Sequence, residues 1–254
     1  MLTVLLRHDR YVVMVGLAMI VALAWVWLFL GAGIQMESMD MGGGQVMLMP
    51  AAWTPSYAAL ILVMWIVMMA AMMLPSAAPV ILLVVALMRQ GQGSRGQGAT
   101  WLFALGYLAV WSAFSVVATA LQWGLDSIGQ LSEMMASNNA MLAGGLAIVA
   151  GVYQWTPWKQ ACLRQCRSPL EWVTRDWRKG FFGPARAGAR HGLFCLGCCW
   201  LLMALLFVFG LMNILWIAAL AILVFVEKVP PFGPRLSRAT GVALVAWGVA
   251  ILIR

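Results

Sequence analysis

Charge is what this chain has least of: Asp, Glu, Lys and Arg make up 9% of its 254 residues, against 64% hydrophobic ones. Several apolar runs reach or exceed the ~18 residues that cross a bilayer, which sets a soluble domain aside and points to a polytopic membrane protein. A Walker loop, a Rossmann fingerprint, a zinc-protease helix and a serine triad are all missing. No catalytic residue is therefore assigned, and neither an enzyme nor an energy-coupled pump is the expected class. Cysteines number five, an odd count that gives no disulfide framework, and histidines only two. The net charge of +8 does not indicate nucleic acid, because the cations cluster in alternate loops. The first apolar run follows Arg7-His8-Asp9-Arg10 without a persuasive cleavage box and reads as a retained anchor.

Lysine and arginine are absent from residues 35–56 and 124–139, so both stretches read as periplasmic loops. The spans expected around them are 11–34, 58–88 with a kink or break at Pro75 and Pro79, 101–123, 140–155, 191–211, 214–226 and 239–253. The fold class is all-α, a polytopic transmembrane helical bundle of about seven spans with a cytosolic N-terminus. Six remains the alternative if 191–226 is not two spans. Fifteen of the sixteen Lys and Arg residues then lie on the cytosolic side, and Arg254 alone falls outside. Most sit in a basic loop, 159–190, where Trp172, Trp177, Phe181 and Phe182 interleave with the charges in the manner of a segment lying on the lipid surface.

Against this scarcity of polar side chains, His191, Cys195, Cys198 and Cys199 fall within nine residues. At about 100° per residue they lie at roughly 0°, 40°, 340° and 80°, one face of a helix. Thiolate and imidazole are the ligands of copper(I) and zinc(II), and all five cysteines are expected on the cytosolic side, where thiols stay reduced. A lone cysteine would be only a small apolar residue; three with a histidine on one face point to metal or redox chemistry. Cys162 and Cys166, four residues apart, face the same side of the membrane, either as shared ligands or as the apolar side of an amphipathic helix. Lys159, Arg164 and Arg167 beside them are expected to ease their ionisation.

Methionine is plentiful, with nineteen residues, and its thioether suits copper(I) without competing for protons. Met68, Met69, Met72 and Met73 are a candidate metal path in the second span, and Met36, Met39 and Met41 a candidate outer capture site. The alternative for both groups is ordinary core packing. Glu227 is a candidate gate, or else an interfacial ion-pair partner of Lys228 or Arg235. Lys159 reads as a topology signal bound to lipid headgroups, and His8 as a surface residue.

Three segments together, Met68-Met-Ala-Ala-Met-Met-Leu-Pro75, Tyr153-Gln-Trp-Thr-Pro-Trp-Lys-Gln-Ala-Cys-Leu-Arg-Gln-Cys-Arg-Ser-Pro169, and Arg190-His191 through Cys199-Trp200 with Glu227-Lys228, resemble a bacterial family described as predicted metal-binding integral membrane proteins, a domain of unknown function. The resemblance covers roughly residues 57–231. It implies an inner-membrane location and metal contact through Cys162, Cys166, His191, Cys195, Cys198 and Cys199.

The expected function is thus an inner-membrane protein that binds a soft transition metal, copper first and zinc second, and delivers or transports it between the periplasm and a cytosolic Cys/His cluster. Its partners are the lipid bilayer and, beyond it, a membrane complex or a metal chaperone, not nucleic acid. A membrane thiol-redox protein and a structural or assembly subunit of a larger complex are the alternatives.

Overall fold

The computed structural model describes residues 2–33, 37–40, 46–49, 53–92, 96–131, 135–137, 139–168, 182–229 and 232–253; of these, 2–10, 37–40, 46–49, 87–92 and 96–97 are described by backbone alone. The chain runs α1 (Leu2–Phe29), a ribbon of β1 (Glu37–Asp40) and β2 (Val46–Met49), α2 (Pro55–Gln92), α3 (Gly96–Ser127), α4 (Ala140–Tyr153), α5 (Pro157–Arg167), α6 (Gly183–Ala204), the single turn α7 (Leu206–Phe209), α8 (Ile214–Lys228) and α9 (Gly233–Ile253). The ribbon is antiparallel, with Glu37 opposite Met49, and is the one departure from an all-helical chain among the described elements.

Among the described residues five helices are long and apolar enough to cross a bilayer: Tyr11–Phe29, Pro55–Ala86, Gly98–Ser127, Gly183–Phe209 and Gly233–Ile253. α4 is apolar but has only 14 residues, and α8 has 15. α2 runs as one helix of 38 residues that contains Pro75 and Pro79, without a break between them. At 1.5 Å per residue it is about 57 Å long, well beyond the ~30 Å of a hydrocarbon core. The prolines sit in a packed stretch of the helix: Ala71 through Leu74, Ala77, Val80 and Ile81 are all buried, and packed surroundings are what make proline tolerable in a helix of this type.

α2 lies between α1 and α3, α6 packs on the far side of α3, and α4 pairs with α9. Glycines set the two closest crossings. A Cβ on Gly188 would stand 1.9 Å from the Phe103 carbonyl oxygen, and one on Gly106 2.0 Å from that of Ala185. Gly188 and Gly192, four residues apart, thus let the backbones of α6 and α3 touch, the small-residue packing of helices in lipid. Gly144 and Gly151 meet Gly248 and Gly241 in the same way across α4 and α9.

Two caps fix the start of the helices around the site. Asn139 accepts from the backbone N–H groups of Met141 and Leu142 at the start of α4. Thr156 accepts from the Lys159 N–H, and Pro157 opens α5, a position where its missing N–H costs nothing. Leu23, Leu105, Met141, Leu215 and Ile253 are exposed on the outside of the bundle. Such an apolar exterior is unfavourable in water and natural in a bilayer.

Candidate metal centre

His191 lies about two turns inside α6, and the helical face read from the sequence is the buried one: His191, Cys195, Cys198 and Cys199 are all at most 2% exposed. The glycine-mediated approach of α3 brings Tyr107 onto this face. Its hydroxyl lies 3.1 Å from the Cys195 sulfur and donates to the Met73 carbonyl oxygen at 3.3 Å. The His191 ring stacks with those of Tyr107 and Phe103, at centroid distances of 5.5 and 6.1 Å.

α5 closes the face from the side. Cys166 is buried, and its thiol neighbours that of Cys198. Cys162, half-buried, rests on Gly197, where an added Cβ would stand 2.8 Å from its sulfur. α8 brings the element that sequence reasoning missed: the Lys228 ammonium donates to the Cys195 sulfur at 3.0 Å and to the Ser76 hydroxyl at 2.7 Å. Ser76 in turn donates to the Met73 carbonyl oxygen at 2.8 Å. Cys195 on α6 is thus met directly by α3 through Tyr107 and by α8 through Lys228, with Ser76 of α2 behind Lys228 and Cys166 of α5 beside Cys198.

The thiols of Cys198 and Cys199 both donate to the Cys195 carbonyl oxygen at 3.0 Å. They are turned back onto their own helix. Accordingly, among the described residues no three Cys, His, Asp or Glu side chains are gathered around one point as metal ligands. The structure joins Cys198 and Cys199 to Cys195 through the shared carbonyl, sets Cys166 beside Cys198, and leaves Cys162 and His191 at the margins.

Three expectations change. Glu227 pairs neither with Lys228 nor with Arg235. Its Oε2 accepts from Lys159 at 2.7 Å, and its backbone carbonyl accepts from Arg167 at 3.1 Å (Nε) and 2.5 Å (Nη2). Lys159 is fully buried rather than at the headgroups, bonded also to Gln154, whose Oε1 accepts from Ser237 at 3.0 Å. The amphipathic α5 carries Lys159 on its inner face, which the side-of-membrane rule does not register. Nor do the cations ease the ionisation of the α5 thiols. The neighbouring Cys198 thiol and then burial push Cys166 well above the ordinary thiol range, and burial followed by the Cys198 sulfur raises Cys162. Lys159 and Arg167 are committed to Glu227, and Arg164 faces outward.

Met68, Met69, Met72 and Met73 are buried in the core of α2, Met73 meeting the site through its carbonyl. Met36 and Met41 lie outside the described residues, and Met39 is described by backbone alone within β1. The signal that could have exposed Lys228 is the Glu227-Lys228 pair closing the apolar run 214–226. A cation there is favoured by the helix C-terminus.

No curated protein and no solved structure matched the chain. A family model did, that of PpoB2, described as a copper chaperone, over residues 62–251. The matched stretch begins within α2 and contains all five cysteines, His191, Glu227 and Lys228, while α1 and the methionines Met36, Met39 and Met41 precede it. With the greater part of its length matched, the chain belongs to the PpoB2 family, whose description is that of a copper chaperone.

Proposed function

We propose that this protein is a multi-pass chaperone of the inner membrane that carries copper(I) on the thiols of Cys166, Cys195 and Cys198, with Cys162, Cys199 and His191 as further ligands. The observation that carries the proposal is the meeting of the Cys166 and Cys198 thiols across α5 and α6, one helical turn from Cys195 and shielded from solvent. Soft sulfur donors in low number suit copper(I), which accepts fewer ligands than tetrahedral zinc(II). Zinc is the second choice. Loading requires Cys198 and Cys199 to rotate off the Cys195 carbonyl, a side-chain motion that a transient carrier can make and a rigid structural site would not need.

In this reading the chain crosses the membrane seven times, α4 and α8 included, with its N-terminus and the cysteine cluster on the cytosolic side. Copper arrives through the outer methionines Met36, Met39 and Met41, passes the buried Met68, Met69, Met72 and Met73 of α2, and is held by the thiols. Each step exchanges one soft ligand for another. A recipient metalloprotein or complex takes the ion.

Elemental analysis of protein purified under reducing conditions tests this. Wild type should retain near-stoichiometric copper after anaerobic loading, and the Cys195→Ser, Cys198→Ser, Cys199→Ser triple variant should lose it. Equal copper in the two proteins contradicts the site.

The same Cys166–Cys198 contact favours thiol redox as a second reading. Joining the two as a disulfide releases two protons and two electrons, which a membrane quinone could accept. A thiol count that falls reversibly by two when metal-free protein is oxidised, with Cys166→Ser abolishing the change, would favour that reading over copper carriage.

A further inference from the structure

Ligand chemistry alone has no use for Lys228, yet it stands in contact with the central sulfur. Its Nζ donates to Cys195 at 3.0 Å and is anchored by Ser76 at 2.7 Å. The adjacent carboxylate, Glu227, is held by Lys159 on the other side, and among the described residues no carboxylate pairs with Lys228. A buried ammonium without an anion is costly, and its place in the last turn of α8 offsets only part of that through the helix dipole.

We infer that Lys228 is the countercharge of the copper–thiolate centre and, through that charge, selects a monovalent over a divalent ion. The inference rests on the thiols being the cargo site. On any given set of thiolates, copper(I) leaves the centre one unit more negative than zinc(II). An ammonium held against a ligand sulfur therefore stabilises the copper form more, by one unit-charge interaction, however many sulfurs bind. At a separation of a few ångströms inside a protein, that difference is worth about tenfold or more in relative affinity. Ser76 keeps the charge in place, because its own hydrogen is committed to the Met73 carbonyl and its lone pairs are left for Lys228.

The test is the ratio of copper(I) to zinc(II) affinity of the full chain in detergent, measured by chelator competition under reducing conditions for wild type, Lys228→Met and Lys228→Arg. The inference expects Lys228→Met to shift the ratio toward zinc by about tenfold or more and Lys228→Arg to keep it near wild type. Should Lys228→Met not fold, Lys228→Gln removes the same charge while keeping a hydrogen-bonding group. An unchanged ratio in a neutral variant that still binds copper overturns the inference and leaves the cargo site standing. Wild type that takes up no copper(I) overturns both.

Discussion

The ammonium of Lys228 lies 3.0 Å from the sulfur of Cys195, a buried cation against a buried thiol that the Tyr107 hydroxyl also touches. One residue earlier in the same turn of α8, Glu227 binds Lys159 at 2.7 Å. The end of α8 therefore serves two networks: one that locks α4, α5 and α9 together, and one that meets the thiols.

The first network is structural and should behave so. Lys159 and Glu227 are 0% and 2% exposed, and removing one member of a buried pair leaves the other uncompensated, at a cost of about 3–5 kcal/mol. Lys159→Met is expected to lower the thermal unfolding midpoint in detergent strongly. Glu227→Gln added to it should cost little more. Additive losses would show that the two residues act independently.

Glycine contacts make a sharper contrast. Gly188→Ala would drive a methyl group into the Phe103 carbonyl, whereas an alanine at Gly145 meets nothing within 4 Å. The first should destabilise by at least the ~1–3 kcal/mol of overpacking and expose the cysteines of α6 to alkylation. The second should be neutral or stabilising by up to about 1 kcal/mol. Comparable behaviour of the two variants would contradict the close packing of α3 on α6.

Tyr107→Phe removes the hydroxyl shared between Cys195 and the Met73 carbonyl but keeps the ring against His191. A loss of about 0.5–1.5 kcal/mol is expected, together with faster copper release in a chelator chase, since Cys195 loses a fixed neighbour. No change in release rate would remove Tyr107 from the site.

Thiol accessibility separates the five cysteines. Cys162 is half-buried and the other four are buried. In metal-free protein a bulky maleimide should label Cys162 first, as read by mass spectrometry of the digested chain. Labelling of Cys195 ahead of Cys162 would contradict the packing of α5 on α6.

The sequence shows clearly what depends on one helix and poorly what depends on two. The shared face of His191, Cys195, Cys198 and Cys199 follows from helical rotation alone and is the buried face of α6. Lys159 and Lys228 were not legible because the abundance of cations on one side of a membrane fixes topology, not burial; which cations turn inward depends on how α5 and α8 meet α6. That Pro75 and Pro79 sit inside one continuous helix depends likewise on the packing around α2, which its own sequence does not contain. Gly188 and Gly192 do carry the approach of α3 in their spacing, but nothing in that spacing names the partner helix.

The central claim is that copper(I) sits on the cysteine sulfurs, and X-ray absorption at the copper edge, on anaerobically loaded protein, tests it most directly. The account predicts an edge of copper(I) with sulfur as the dominant neighbour, and loss of that sulfur shell in a Cys166→Ser, Cys195→Ser, Cys198→Ser variant. A copper centre surrounded by nitrogen and oxygen, or a sulfur shell unchanged in the variant, would contradict it.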